Sequence, residues 1–148
     1  MNKTSIEVTA PAKLNLTFEV LGLLDDGYHE VRSLMAALDL SDTLTFTFAP
    51  SREPAINITI ANNLREIKKD SFPLGSDNLI AKAIRLYLSA IEKPISLKID
   101  VKKKKKIPIG AGMAGGSANA AATLLAMNQY FKGELAWAQL LELGAKLG

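Results

Sequence analysis

Four segments of this sequence alternate apolar and polar residues with a period of two, the signature of half-buried β-strands. In the first, Ala10, Ala12, Leu14, Leu16, Phe18 and Val20 interleave with Thr9, Pro11, Lys13, Asn15, Thr17 and Glu19, which places Lys13, Asn15 and Thr17 together on a polar face. Leu44, Phe46 and Phe48 alternate with threonines, Ile56, Ile58 and Ile60 with Asn57 and Thr59, and Ile95, Leu97, Ile99 and Val101 repeat the period. Between Val31 and Leu40 both parities are largely apolar, as in a strand covered on both faces, with a short buried helix as the alternative.

Helical spacing takes over at Leu79/Ile80, Ala83/Ile84, Tyr87/Leu88 and Ile91, with Ser76 and Asp77 as candidate N-caps and Pro94 as the stop. A second helix is predicted after Gly116 from Ala120, Leu124, Met127 and Phe131. A third follows Gly133, with Trp137 and Leu140/Leu141 as core candidates. Residues 61–77, with Asn62, Asn63, Pro73 and Gly75, read as a loop. Strands first, then helix, strand, helix, helix predict an α+β fold with helices against one face of a mixed or antiparallel sheet.

The chain of 148 residues, 48% hydrophobic and 22% charged, is sized and composed for one globular domain rather than a disordered or fibrous chain. The absence of cysteine removes disulfides, thiolate nucleophiles and structural zinc fingers, and a single histidine, His29, removes any His-rich metal site. No apolar run is long enough to span a membrane and the first residues lack a signal-peptide stretch, so a cytoplasmic protein without membrane contact is expected. The formal charge is +3, but Lys102 to Lys106 are all lysine, and without them the chain is net negative. This run continues an alternating strand and reads as a solvated sheet edge that discourages pairing, with attraction of nucleic acid or a polyphosphate as the alternative.

The stretch Ile107 to Met127, IPIGAGMAGGSANAAATLLAM, sets glycines directly before a helix of small residues. Glycines let backbone amides turn toward an anion, and a helix start adds unpaired N–H groups and a favourable dipole, so the pattern reads as a phosphate loop. Gly110, Gly112 and Gly115 fit Gly-x-Gly-x-x-Gly, but no strand, turn, helix and strand unit surrounds them, and the Gly-Lys-Ser/Thr ending of a Walker loop is missing. A turn is signalled at Asp25-Asp26-Gly27, followed by Tyr28 and His29, a ring and an imidazole able to stack on and hydrogen-bond a planar base, or simply a packed turn tyrosine beside a surface histidine. Lys13 offers a point charge to a phosphoryl group or hydroxyl, if it is more than a solvated strand lysine.

Taken together, APAKLNLTFEVLGLLDDGYHEV, LMAALDLSDTLTF and IPIGAGMAGGSANAAATLLAMN resemble the N-terminal part of the GHMP superfamily kinases that act on 4-diphosphocytidyl-2-C-methyl-D-erythritol. The resemblance implies a ribosomal-protein-S5-like α+β domain over residues 1–148 that binds ATP, with Mg2+ nearby, and phosphorylates the 2-hydroxyl of that cytidine diphosphate compound in non-mevalonate isoprenoid synthesis. By motif it makes Lys13 the catalytic lysine, puts Asn15 at the substrate hydroxyl, and makes Tyr28 and His29 the cytosine-recognising pair. Gly110, Gly112, Gly115, Gly116 and Ser117 would hold the ATP phosphates, with Pro108, Ala111, Met113 and Ala114 completing the loop and Ser117 beside the metal.

Two departures accompany it. Members of the family continue past LGAKLG into a segment with a catalytic aspartate and a second domain that closes the substrate cleft, whereas this chain ends at Gly148 and is therefore expected to be a truncated half, inactive alone. Ala118 also stands where the family carries a second serine. Rival readings are an S5-like RNA-binding module, which would leave the glycine loop and the Tyr28-His29 pair without a role, and a catalytically dead nucleotide-binding remnant.

Overall fold

A computed structural model of the chain describes residues 3–51, 56–62, 78–93 and 95–148. Four strands, β1 (Thr4–Leu23), β2 (His29–Pro50), β3 (Ile56–Asn62) and β4 (Leu97–Lys104), form one sheet in the order β1-β2-β4-β3. The β1/β2 and β2/β4 pairs are antiparallel and β3/β4 is parallel, so the sheet is mixed. The parallel pair needs a crossover, and helix α1 (Leu79–Ala90) lies within it. Helices α2 (Gly115–Tyr130) and α3 (Trp137–Ala145) follow.

Alternation along the strands decides which face carries the core. Ile6, Ala10 and Ala12 of β1, Leu44, Phe46 and Phe48 of β2, and Leu97, Ile99 and Val101 of β4 are buried, as are Ile80, Ile84, Tyr87 and Leu88 of α1 and Ala120, Leu124 and Met127 of α2. The intervening Thr43, Thr45, Thr47, Lys98, Asp100, Lys102 and Lys104 are half-buried or exposed, giving a sheet covered on one face and solvated on the other. Phe48 stacks on Tyr130 at a ring separation of 4.0 Å. Tyr87 donates its hydroxyl to Asn128 Oδ1 at 2.8 Å, and the Asn128 amide brackets the backbone of Leu135, accepting from its N–H and donating to its carbonyl. One side chain thus fixes the turn between α2 and α3. Burial, with Glu134 nearby, pushes the Tyr87 hydroxyl up to about 12, so it remains a donor throughout the neutral range.

The strands and helices expected from periodicity are present, with four differences. Helix α1 is capped by Asn78, whose side chain accepts from Ile80 N–H at 2.9 Å, while Ser76, Asp77, Pro94 and most of the expected loop 61–77 lie outside the described residues. Lys102 to Lys104 belong to an interior strand, not an edge: β4 pairs with β2 on one side and β3 on the other. Trp137 and Leu141 of α3 are exposed, because this short helix turns Leu140 and Leu143 to the core instead.

The largest difference concerns the β1/β2 hairpin, which runs on beyond the helical layer. Leu14, Leu16, Phe18 and Val20, expected on a buried face, are exposed, as are Val31, Leu34 and Met35, expected to be covered on both faces. Val31 to Leu40 is indeed strand, but every residue in it is exposed or half-buried. Register shifts between Pro11 and Lys13, between Asn15 and Thr17, and between Val20 and Gly22 mark irregularities that bend the ribbon. The second interrupts the strict alternation that would have kept Thr17 beside Lys13 and Asn15; Thr17 Oγ1 instead accepts from Leu34 N–H.

The packing predicts a hierarchy of losses. Phe46→Ala should cost about 3–5 kcal/mol by opening a cavity in the middle of the sheet. Tyr87→Phe should cost about 1 kcal/mol, since Asn128 keeps its bonds to Leu135. Urea denaturation of the two variants checks the order, and equal losses would contradict it.

Candidate active site

The inward stripe of β2 ends in a charge. Asp42 follows the parity of Leu44, Phe46 and Phe48 and is fully buried. Its Oδ1 accepts from the backbone N–H groups of Lys106 at 2.7 Å and Ile107 at 2.9 Å. Its Oδ2 accepts from Asn119 Nδ2 at 3.0 Å, with Lys103 Nζ at 3.2 Å and Lys105 Nζ at 3.6 Å. Burial alone would raise the Asp42 carboxyl, but the two backbone N–H groups, Asn119 and Lys103 together hold it below its ordinary value. For Lys103, burial lowers the ammonium below its usual value and Lys105 adds to this, while Asp42 opposes both.

This carboxylate fixes both ends of the glycine loop: Lys106 and Ile107 lead into it, and Asn119 lies in the second turn of α2, which follows. Gly110 (φ 72°) and Gly112 (φ 69°) take left-handed backbone conformations that disfavour side chains. Gly115 and Gly116 are needed for close approach instead, since a Cβ would come within 3.1 Å of Ile107 Cγ2 and 3.3 Å of Leu79 Cδ1 respectively. Ala114, the residue before α2, adopts φ 56° without being glycine and gives the helix no side-chain cap. The first intrahelical bond runs from Ala118 N–H to the Ala114 carbonyl, so the amides of Gly115, Gly116 and Ser117 have no helical acceptor and suit an anion.

A cleft of about 370 Å³ lies against the loop, lined by Pro108 to Gly116 and floored by Asn78, Lys103, Lys105 and Asn119 among others. Asn119 Oδ1 is the one buried side-chain polar atom among the described residues without a hydrogen-bond partner.

Lys13 meets this loop directly. Its backbone N–H donates to the Met113 carbonyl at 3.2 Å, and its Nζ donates to Asn15 Oδ1 at 3.2 Å. The structure therefore brings together Lys13, Asn15, Met113 and the glycine loop. Ser117 sits in the first turn of α2 but lines a second groove, with Leu124, Trp137 and Leu140 between α2 and α3. Tyr28 and His29 lie at the far end of the hairpin, outside the lining of the loop cleft. There Gly27 (φ 85°) closes the turn, Asp26 Oδ1 accepts from Tyr28 N–H at 3.0 Å, and Tyr28 is highly exposed. From Lys13 to Leu23, the partner of His29, runs ten residues of strand, on the order of 30 Å along the ribbon.

Residues 78–148 match the N-terminal domain of the GHMP kinases. The chain is 40% identical over its whole length to the 4-diphosphocytidyl-2-C-methyl-D-erythritol kinase of Prochlorococcus marinus subsp. pastoris, covering 44% of that protein. Its residues 78–148 carry a GHMP kinase N-terminal domain. A second 4-diphosphocytidyl-2-C-methyl-D-erythritol kinase, from Carboxydothermus hydrogenoformans, is 41% identical over 95% of the chain, which covers 44% of that relative. A crystal structure of a 4-(cytidine 5'-diphospho)-2C-methyl-D-erythritol kinase superposes on 97% of this chain and 46% of its own, with a TM-score of 0.74 and 34% identity. The chain thus spans a little under half the length of the GHMP kinases it matches.

Within the GHMP frame, Asp42 and Asn119 are the site residues that motif reading did not reach, while Lys103 and Lys105 fall in the run that it read as a solvated edge. A parity signal was available: Asp42 and Lys103 occupy the next inward positions of stripes that are otherwise apolar. Asp42→Asn should destabilise the fold by about 3–5 kcal/mol by leaving its buried cationic partners short of a counter-ion. Because the folded carboxyl lies below its ordinary 3.8, the stabilisation from its ionisation is complete above that value and disappears as pH falls through the lower folded value. Urea titrations should therefore show the gap between wild type and Asp42→Asn at pH 7 narrowing below pH about 4. A gap constant with pH would contradict the assignment.

Proposed function

We propose that this chain supplies the ATP-binding domain, residues 1–148, of a kinase that phosphorylates the 2-hydroxyl of 4-diphosphocytidyl-2-C-methyl-D-erythritol in non-mevalonate isoprenoid synthesis. The observation that carries the reading is the hydrogen bond from Lys13 N–H to the Met113 carbonyl, which puts a lysine and an asparagine beside a loop shaped for phosphates. The relatives bearing that activity in their names support the substrate. Closing the substrate cleft falls, in this proposal, to a second domain.

The amides of Gly110, Gly112, Gly115, Gly116 and Ser117, with those of Ala111, Met113 and Ala114, cradle the ATP phosphates, and the α2 dipole adds to their attraction. Lys13 acts as the catalytic cation. Its ammonium, oriented by Asn15 Oδ1, stabilises the charge on the phosphoryl group in flight and polarises the accepting hydroxyl, to which the Asn15 amide offers a donor. No cluster of three or more His, Asp or Glu side chains among the described residues forms a metal cage. Mg2+ commonly stays bound to substrate phosphates, and the exposed Ser117 hydroxyl, which lines the groove between α2 and α3, would have to turn toward the loop cleft to join them there. When bound, the ion would neutralise charge on the phosphate oxygens. Tyr28 and His29 take the cytosine, the ring by stacking and the imidazole by hydrogen bonding, which requires the bulged ribbon to curl its tip to within one substrate length of Lys13.

Titration calorimetry should show ATP binding that Gly112→Val weakens at least about tenfold. The Cβ at Gly112 would meet no atom within 4 Å, so the fold should survive and only the left-handed loop should suffer. Equal affinity in both proteins would sink the phosphate-loop reading. At the hairpin tip, cytidine diphosphate should shift the NMR signals of Tyr28 and His29 more than uridine diphosphate does, and indifference to the base would remove their assignment.

A further inference from the structure

Lys103 is a costly residue where it stands. Leu97, Ile99 and Val101 carry the inward stripe of β4, and the next inward position, beside Leu44 of β2, is a lysine whose side chain is only 2% exposed. Desolvating an ammonium is expensive, and well-packed apolar residues in place of a buried ion pair are often equally stable or more so. Lys105 Nζ already stands 3.6 Å from the same Asp42 oxygen, so pairing with that carboxylate does not by itself require Lys103 as a second buried lysine. Its counter-ion is also shared, since Lys103 and Lys105 both converge on Asp42 Oδ2, which accepts from Asn119 as well, while Oδ1 is committed to two backbone N–H groups. Both lysines floor the cleft whose wall is the glycine loop.

We propose that Lys103 is a specificity-determining residue that reads the number of phosphates on the nucleotide, dividing its charge between Asp42 and the polyphosphate and so favouring a triphosphate over a diphosphate. The proposal rests on the nucleotide reading of the cleft and deepens it. A buried cation within the cleft gains more from each added phosphate charge than a solvated lysine does, because water screens it less. Asp42 keeps the ammonium in place while the cleft is empty. The occupant adds its own negative charge to that of Asp42 around Lys103, and the gain grows with the occupant's charge. Lys104, one residue on, faces the solvated side of the sheet and has no such role.

The test compares ATP and ADP affinities by calorimetry for wild type, Lys103→Met and Lys104→Met. Lys103→Met should weaken ATP about tenfold and ADP only about threefold, narrowing the preference, while Lys104→Met leaves both within about twofold. Lys103→Gln, which keeps a donor for Asp42 without the charge, should give the same narrowing and serves if the methionine variant folds poorly. An ATP-to-ADP ratio unchanged in Lys103→Met or Lys103→Gln would overturn the inference while leaving the phosphate loop standing. Failure of the wild-type chain to bind ATP at all would overturn both.

Discussion

A single buried carboxylate holds the glycine loop in place. Asp42 joins the middle of β2, where its buried stripe ends, to the entry of the loop and the second turn of α2, three pieces of chain more than sixty residues apart in sequence at their widest. Remove it and the loop keeps only packing and the bond from Lys13 N–H to the Met113 carbonyl. That bond is what turns a glycine-rich turn and a strand lysine into one site. The arrangement is electrostatically demanding, because a carboxylate without water needs nearly every lone pair filled, and here two amides, an asparagine and two ammonium groups fill them.

The small residues of α2 serve the same end. Ala120, Ala122 and Ala126 are buried, so the helix axis can approach the sheet closely, and Gly115 and Gly116 continue that approach into the first turn. Bulk at either glycine would push on Ile107 or Leu79, and Ile107 is itself bonded to Asp42. Loop shape, helix packing and the buried charge are therefore mechanically one unit. The left-handed Ala114 is the strained joint within it.

What the sequence made legible follows from how locally each feature is encoded. Strand alternation identified the stripes of β2 and β4, and glycines before alanines identified the loop, because both are written in consecutive residues. Exposure is not local. Phe18 and Val20 alternate as faithfully as Phe46 and Phe48, yet only the latter lie under helices, and nothing within β1 announces where the helical layer stops. The lysine run misled for a related reason: five like charges suggest an edge, but alternate members face opposite sides of an interior strand, and Lys103 is buried where Lys104 is solvated. Asp42 escaped notice because its partners lie sixty-odd positions downstream, beyond the reach of any local pattern.

The extended β1/β2 ribbon makes the two ends of the molecule thermodynamically unlike. A two-stranded ribbon without a covering layer is marginal in water, whereas the loop end is welded to the core. Amide protection should then fall from Ala12 toward Gly27, a gradient of local stability along one continuous hairpin. Binding at the loop meets a preorganised surface and loses little chain entropy. Binding at the tip must order the ribbon it grips, so part of its interaction energy goes into stiffening the arm, a cost that binding at the loop does not share.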